Sequence, residues 1–315
     1  MSREVDIGPE DDGIRLDRWF RRHMPETSFA TVARWARTGQ LRLDGRRARP
    51  GDRLQHGQRL RLPPLDPEAA RTPRRPGPRA PSPEEAAFAQ SLVIHRDPAA
   101  LVLNKPPGLA VQGGTNTALH IDLLLDALRF DARERPRLVH RLDKDTSGVL
   151  LIARTARAAA FFARCFATRD TRKLYWALLM GKVEGEARRI DLPLARQPGT
   201  GGEKMEVAAG GLAAQTDLRV LDRAGNRCTL VELRPRTGRT HQLRAHAAAI
   251  GHPIVGDGKY GGRDAFLTGG VSRKLHLHAH RLVIAHPDGG KLDMAAPLPE
   301  HFAATVAMLG LELPR

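Results

Sequence analysis

Eight prolines fall between residues 63 and 83, at positions 63, 64, 67, 73, 76, 78, 81 and 83. Proline lacks an amide N–H and locks φ near about −65°, so such a tract can neither continue a helix nor sit inside a sheet. Whatever this chain folds into must therefore be built on either side of it. With basic residues between the prolines, residues 63–90 read as an extended linker that joins a small module at 14–62 to a larger domain at 91–315. A chain of 315 residues is long enough for both.

In the small module, Leu16, Trp19, Phe20 and His23 recur at the spacing of a short amphipathic helix, which Pro25 ends. Ser28 is placed to cap a second helix whose inner face would be Phe29, Val32, Ala33 and Ala36, closed by Gly39. Asp44-Gly45, flanked by alternating residues, predicts the turn of a short hairpin. Residues 14–62 carry 13 arginines against 4 acidic residues. A solvated surface would tolerate some of that charge, but its density favours a nucleic-acid face, with Arg34, Arg37, Arg46 and Arg47 as candidate phosphate contacts.

The whole chain has a formal net charge of +16, which points to a polyanionic partner. Cys165 and Cys228 lie far apart, without the CxxC spacing of a zinc site, and suit a reducing compartment. The acidic start, MSREVDIGPEDDG, has no apolar core, so no secretory signal is expected. No apolar run approaches the roughly 20 residues that span a bilayer. These features predict a cytoplasmic protein without a membrane partner, and we expect it to act as a monomer.

The larger domain alternates apolar strands with a few helices. SLVIHRD and ALVLNKPPG read as a hairpin turning at Asp97-Pro98. GVLLIAR, LYWALLMGKV, QTDLRVLD, CTLVELRP and KLHLHAHRLVIAHP read as further strands. Helices are expected over 118–129, over 155–168 and across THQLRAHAAAIG. Successive strands often lack a crossover helix between them, so the fold class is α+β, with a mixed, largely antiparallel sheet flanked by helices.

Several chemistries lack their motifs. Gly258-Lys259 has neither the upstream glycine nor the following Ser or Thr of a nucleotide-binding loop. Gly113-Gly114 stands alone, with no dinucleotide or methyl-donor fingerprint around it. No nucleotide cofactor is expected. His276, His278 and His280 alternate along a strand and could share one face, but no cysteine or carboxylate lies near them in sequence, so no metal is expected either. The remaining concentration of charge is HRLDKDTSG, at 140–148. Asp143 and Asp145 there are either turn and cap residues or carriers of chemistry.

HRLDKDTSG followed by VLLIAR, then KLYWALL, then RPRTGRTHQLRAHAAAIGHPIVGDGKYG, resembles the RluA-type pseudouridine synthase family. The likeness runs in order from LNKPPGLAV at 103 to LHAHRLVIAHP near 287. Within the family, LNKPPGLAVQGG is most similar to the subgroup called RluC, which acts on large-subunit ribosomal RNA. The module at 14–62 resembles the S-four-like RNA-binding module. The resemblance implies an isomerase that breaks a uridine's glycosidic bond, turns the base and rejoins it through carbon. It implies Asp143 as the catalytic carboxylate, with Asp145 left to the turn and Thr146, Ser147 and Gly148 shaping the loop. Arg244 would pair with that aspartate and keep it ionised. Tyr175 would stack on the flipped base, and Arg141 would enter the RNA stack in its place. Arg239 and His241 would position phosphate or support Arg244, and Lys105 would contact the RNA backbone. Leu174 and Trp176 flank the tyrosine with unusual bulk. A transfer-RNA substrate and a non-catalytic ribosome-assembly factor are the alternatives; a pure binder would not need the acid–tyrosine–arginine set.

Overall fold

The computed structural model describes residues 3–64, 79–113, 117–168, 171–197 and 204–314. Most of the proline tract, 65–78, and Gly114 of the isolated glycine pair lie outside the described residues. The chain divides into two compact units, Met1–Pro78 and Arg79–Arg315.

The first unit contains β1 (Arg3–Asp6), α1 (Leu16–His23), α2 (Phe29–Arg37), β2 (Arg42–Leu43), β3 (Arg46–Arg47) and β4 (Arg59–Leu62), with sheet order β1-β4-β2-β3. Asp44 and Gly45 both take positive φ, 47° and 75°, the backbone that a two-residue hairpin turn demands. The Ser28 hydroxyl accepts from the Thr31 amide at 3.1 Å and caps α2 as its position suggests. Two core assignments change. Phe29 is 62% exposed, because the buried stripe of α2 is Val32, Trp35 and Ala36. His23 lies at the rim, stacked on Trp19 at 4.8 Å, with Nε2 2.6 Å from Asp11. Asp11 is buried and also accepts from Trp19 Nε1 and Arg22 Nη1. The segment before residue 14 therefore supplies both a strand and a buried anchor to this unit.

The second unit begins with α3 (Pro83–Ser91), inside the stretch that composition assigns to the linker. The sequence Ser82-Pro83-Glu84-Glu85 explains the difference. The Ser82 hydroxyl accepts from the Glu85 amide, the Glu85 carboxylate accepts from the Ser82 amide, and Pro83 fills the first helical position. Then follow β5 (Val93–Arg96), β6 (Ala100–Lys105), α4 (Ile121–Leu124), β7 (Arg137–Leu138), β8 (Ser147–Ala153), α5 (Ala156–Ala167) and β9 (Arg172–Met180). Next come β10 (Ala187–Asp191), β11 (Leu194–Arg196), β12 (Met205–Val207), β13 (Gln215–Ala224), β14 (Cys228–Pro235), α6 (Gln242–Ala249) and α7 (Gly258–Gly261). The unit closes with β15 (Leu277–Ala285), β16 (Lys291–Ala295) and α8 (Glu300–Met308). The helix expected over 118–129 is shorter, a single turn of α4 continued by a 3-10 turn at Leu125–Leu128.

One large sheet runs β10-β13-β14-β9-β15-β8-β6-β5, with β16 on β15 and β7 on β8. The β15–β8 pair is parallel and the other pairs are antiparallel. Alternation along the strands feeds a core on each face. On one face Ala177, Leu179 and Leu233 pack under Leu243 and Ala247 of α6. On the other, Trp176, Leu178 and Leu230 pack under Phe302 and Val306 of α8. The fold class is the α+β arrangement expected, and α6 marks the face on which the site is built.

Candidate active site

Strand register assembles the site. Gly148 of β8 stands beside Ala279 of β15, Ala279 beside Tyr175 of β9, and Tyr175 beside Leu233 of β14. This row brings the loop before β8, which carries Asp143, next to the loop after β14, which carries Arg239 and His241. The row exists only with glycine at 148, whose φ is 109°. A Cβ there would lie 2.2 Å from the Ala279 carbonyl oxygen. Around the row lies a cavity of about 270 Å³ lined by Asp143, Tyr175, Arg239, His241, Arg244 and Lys173, among others. Asp143 is also on the wall of a second cavity, of about 730 Å³, that Asp145, Lys144 and Lys259 help to line.

Asp143 is partly exposed, and His241 Nε2 lies 3.8 Å from its Oδ1. His241 precedes α6 with the left-handed backbone φ 49°, ψ 21°, uncommon for a residue other than glycine. Its Nδ1 meets the Tyr260 hydroxyl at 3.0 Å, and that hydroxyl accepts from the Met205 amide at 2.9 Å. Burial, the leading influence, keeps the His241 imidazole below its ordinary pKa, against the opposing pull of Asp143. Tyr175 is shifted the opposite way. Burial first, and then the Asp143 charge, raise its phenol above the ordinary range, so it keeps its proton well into alkaline pH.

Arg244 is in the site, but its direct partner is not the expected one. Its Nε and Nη2 each donate at 2.8 Å to the two oxygens of Asp257, a buried two-pronged pair. Asp143 is left close enough to act on Arg244 by charge alone. Asp257 also accepts from the Tyr260 amide at 3.3 Å. Arg244, Asp257, Tyr260 and His241 thus form one connected support that ends beside Asp143.

Lys105 differs more sharply from expectation. It is 0% exposed, and its ammonium donates to the carbonyls of Pro106, Leu109 and Lys144 at 2.9, 2.8 and 2.9 Å. No proton remains for an RNA backbone. Its role is internal: it ties the Pro106–Leu109 turn to the loop between Asp143 and Asp145. Burial pushes the ammonium down to about 7, with Asp145 and Asp143 opposing.

The other assigned residues lie as follows. Arg141 is exposed at the cavity mouth and donates to the Thr240 hydroxyl at 3.2 Å. Arg239 is exposed and donates to the Ala213 carbonyl at 3.1 Å. Arg34, Arg37, Arg46 and Arg47 are exposed in the first unit, where Arg37 and Arg47 rim a shallow cleft floored by Ala33, Ala36 and Ala48. Trp176 points away from the cavity and stacks on His280 at 3.6 Å. The alternating histidines are built into the fold. His276 meets the Val255 carbonyl and the Thr305 hydroxyl, and His278 meets the Ser147 hydroxyl and the Ala296 carbonyl. Burial holds both near pKa 4.

Sequence reading missed Gln242, whose buried amide fixes the loop after β14. Its Oε1 accepts from the Thr237 hydroxyl and the Arg239 amide, and its Nε2 donates to the Gln215 carbonyl and Thr216 hydroxyl. A glutamine opening a helix after a turn that carries Gly238 is the only signal it leaves in the sequence. His140 was missed as well. It stacks on Phe166 at 4.5 Å and accepts from the Leu151 amide, and burial holds it neutral, near pKa 3.

Comparison with known proteins follows the same outline. The family model described as RNA pseudouridylate synthase matches residues 99–249. The ribosomal large subunit pseudouridine synthase C of Vibrio cholerae is 33% identical, with 94% of this chain and 93% of that protein covered. Its Escherichia coli namesake is 34% identical, with 94% and 93% covered. Among solved structures, human RNA Pseudouridylate Synthase Domain Containing 4 superposes with a TM-score of 0.63 at 30% identity. The match covers 74% of this chain and 99% of that one.

Proposed function

The chain belongs to the RNA pseudouridylate synthase family, and from that premise we propose that it isomerises uridines of large-subunit ribosomal RNA to pseudouridine, with Asp143 as its catalytic carboxylate. The observation that carries the site assignment is the row Gly148–Ala279–Tyr175–Leu233, which sets Asp143, Tyr175 and His241 around one cavity.

In this reading the bond between the ribose and the base nitrogen breaks, the uracil turns, and a carbon–carbon bond forms. The proton displaced from that carbon ends on the freed nitrogen, so the sum of atoms and electrons is unchanged and no nucleotide cofactor is needed. Asp143 acts on the sugar, either by adding to it or by taking a proton from it. Tyr175 stacks on the base, and its raised pKa keeps the phenol protonated even beside Asp143. Arg141, exposed at the mouth, fills the gap that the flipped base leaves, which offsets part of an unstacking cost of a few kcal/mol. Arg244 works through Asp257 and Tyr260 to set His241 beside the carboxylate. In the first unit Arg34, Arg37, Arg46 and Arg47 grip RNA phosphates in the manner of an S-four-like module. Such a substrate implies work in the cytoplasm. No helix among the described residues is long and apolar enough to cross a membrane.

The test is direct. Transcribed large-subunit ribosomal RNA incubated with the protein should gain pseudouridine at defined positions when mapped base by base, and transfer RNA should not. Product on transfer RNA alone would reassign the substrate. Product on neither would leave a chain that only binds RNA.

A further inference from the structure

Beyond the catalytic cavity, at the ends of β9 and β14, lies a third cavity of about 480 Å³. It shares Phe166, Lys173, Thr237, Gly238 and Arg239 with the catalytic cavity, so the two form a continuous trough. Two of its partly buried cations have no counter-charge in contact. Lys173 is half-buried, two residues before Tyr175 and so on the same face of β9. A Cβ on Gly238 would stand 3.8 Å from its ammonium nitrogen. Among the described residues no hydrogen bond or ion pair engages that ammonium. Arg234, also half-buried, stands opposite Asp217 in the β13–β14 register. The two Asp217 oxygens are already occupied, one by Arg189 at 2.7 Å and one by Arg236 at 2.6 Å. Arg234 is left without a contact partner among the described residues.

Arg281, Arg135 and Arg223 each meet a carboxylate, on Asp293, Asp126 and Glu186. Other arginines stand exposed in water, whereas Lys173 and Arg234 are partly buried with neither form of relief. A partly desolvated cation left unpaired is costly, and an anion entering the trough relieves that cost. The pKa directions agree. Burial lowers Lys173, and burial together with Arg236 and Arg172 lowers Arg234 despite Asp217 and Glu232. An anion in the trough would oppose the burial that disfavours Lys173 and add to the partial support that Asp217 and Glu232 give Arg234.

We propose that Lys173 and Arg234 form a phosphate track for the RNA strand that flanks the flipped nucleotide, with Lys173 taking the phosphate nearest the catalytic cavity and Arg234 one further along. This rests on the RNA substrate proposed above and assigns a path to that RNA. The strand leaves the catalytic cavity past Gly238 and Phe166, on the side away from Lys144 and Lys259.

The test uses the full chain and transcribed large-subunit ribosomal RNA. Lys173→Gln and Arg234→Gln should each raise KM about tenfold, the scale of one lost charge-assisted hydrogen bond, and leave kcat within about threefold. Each should also reduce the log–log salt slope of binding by roughly 0.7–0.9, one phosphate's worth. Lys173→Arg should recover most of the affinity. Arg281→Gln, at a paired surface arginine, should move neither quantity. An unchanged salt slope in both glutamine variants would overturn the track. So would a fall in kcat at constant KM, which would make Lys173 a support for His140 and Tyr175. If Lys173→Gln fails to fold, Arg234→Gln carries the decision alone. A wild-type protein that makes no pseudouridine on this RNA would overturn the substrate reading instead.

Discussion

Arg244 and Asp257 face each other in a buried, two-pronged ion pair, both N–O distances being 2.8 Å. The pair places the one buried arginine of α6 beside the cavity without neutralising Asp143. Removing either charge strands the other. Asp257→Asn should therefore lower stability by about 3–5 kcal/mol, the usual cost of breaking a buried pair from one side. Activity should fall with it, because Asp257 also holds the Tyr260 amide and, through Tyr260, His241. Thermal melting and a pseudouridine assay on the same samples test this. Arg244→Lys should rescue little, since an ammonium cannot reproduce the two-pronged geometry. Full activity in Asp257→Asn would mean that the support is dispensable.

The two aspartates of the HRLDKDTSG loop should separate cleanly. Asp143→Asn is nearly isosteric and removes the carboxylate that borders both cavities, so product should be undetectable, with RNA affinity within a few-fold of wild type. Asp145 is exposed and borders only the second cavity, so Asp145→Asn should retain most activity. Equal loss in both variants would contradict the assignment of the catalytic carboxylate.

Lys105 predicts opposite pH trends for stability and rate. Its pKa falls from 10.5 in the unfolded chain to about 7 in the fold. Below 7 the ammonium is charged in both states and the cost of burying it is fully present. Between 7 and 10.5 the unfolded chain binds the extra proton, so this residue's contribution to stability improves as pH rises. The neutral amine, however, has only two protons for three carbonyls, so its tie to the Lys144 carbonyl loosens over the same interval. The rate should decline above pH 7 while the contribution of Lys105 to stability, taken as wild type minus Lys105→Met, does not. Lys105→Met should be slower throughout and should lack that decline. An alkaline decline unchanged in the methionine variant would assign it to another group.

How much of this was legible in the sequence depends on the range of the interaction. Local signals read well. Asp44-Gly45 gave its hairpin, Ser28 its cap, and the alternation of GVLLIAR its strand, because each rests on neighbours in the chain. The SPEE capping box was just as local and was lost only because prolines around it suggested a linker. What the sequence did not reveal was pairing across distance. Nothing near Lys105 says that its ammonium meets a carbonyl 39 residues away, and nothing near Arg244 says that Asp257 outcompetes Asp143 for it. Motif likeness placed Asp143, Tyr175 and Arg244 in one site but said nothing of which side chains touch.

The last prediction concerns the basic first unit. Its exposed Arg34, Arg37, Arg46 and Arg47 lie on a fold with its own core of Leu16, Trp19, Phe20, Val32 and Leu60. Asp143, Tyr175 and Arg244 all lie in the second unit. Removing residues 1–78 should therefore leave the site assembled and weaken RNA binding, with the log–log salt slope falling by roughly 0.7–0.9 for each lost phosphate contact. Tethered binding raises the local concentration of RNA at the site without touching the reacting base, so KM should rise strongly and kcat at saturating RNA should change far less. Cutting at 78 rather than 90 matters, because α3 begins at Pro83 and buries Ala89 against Leu124, Leu125 and Leu128. A truncation that also removes α3 should lose stability as well as affinity. If the chain cut at 78 keeps its affinity and salt slope but loses kcat, the first unit takes part in the chemistry and the arginines named here are not its RNA grip.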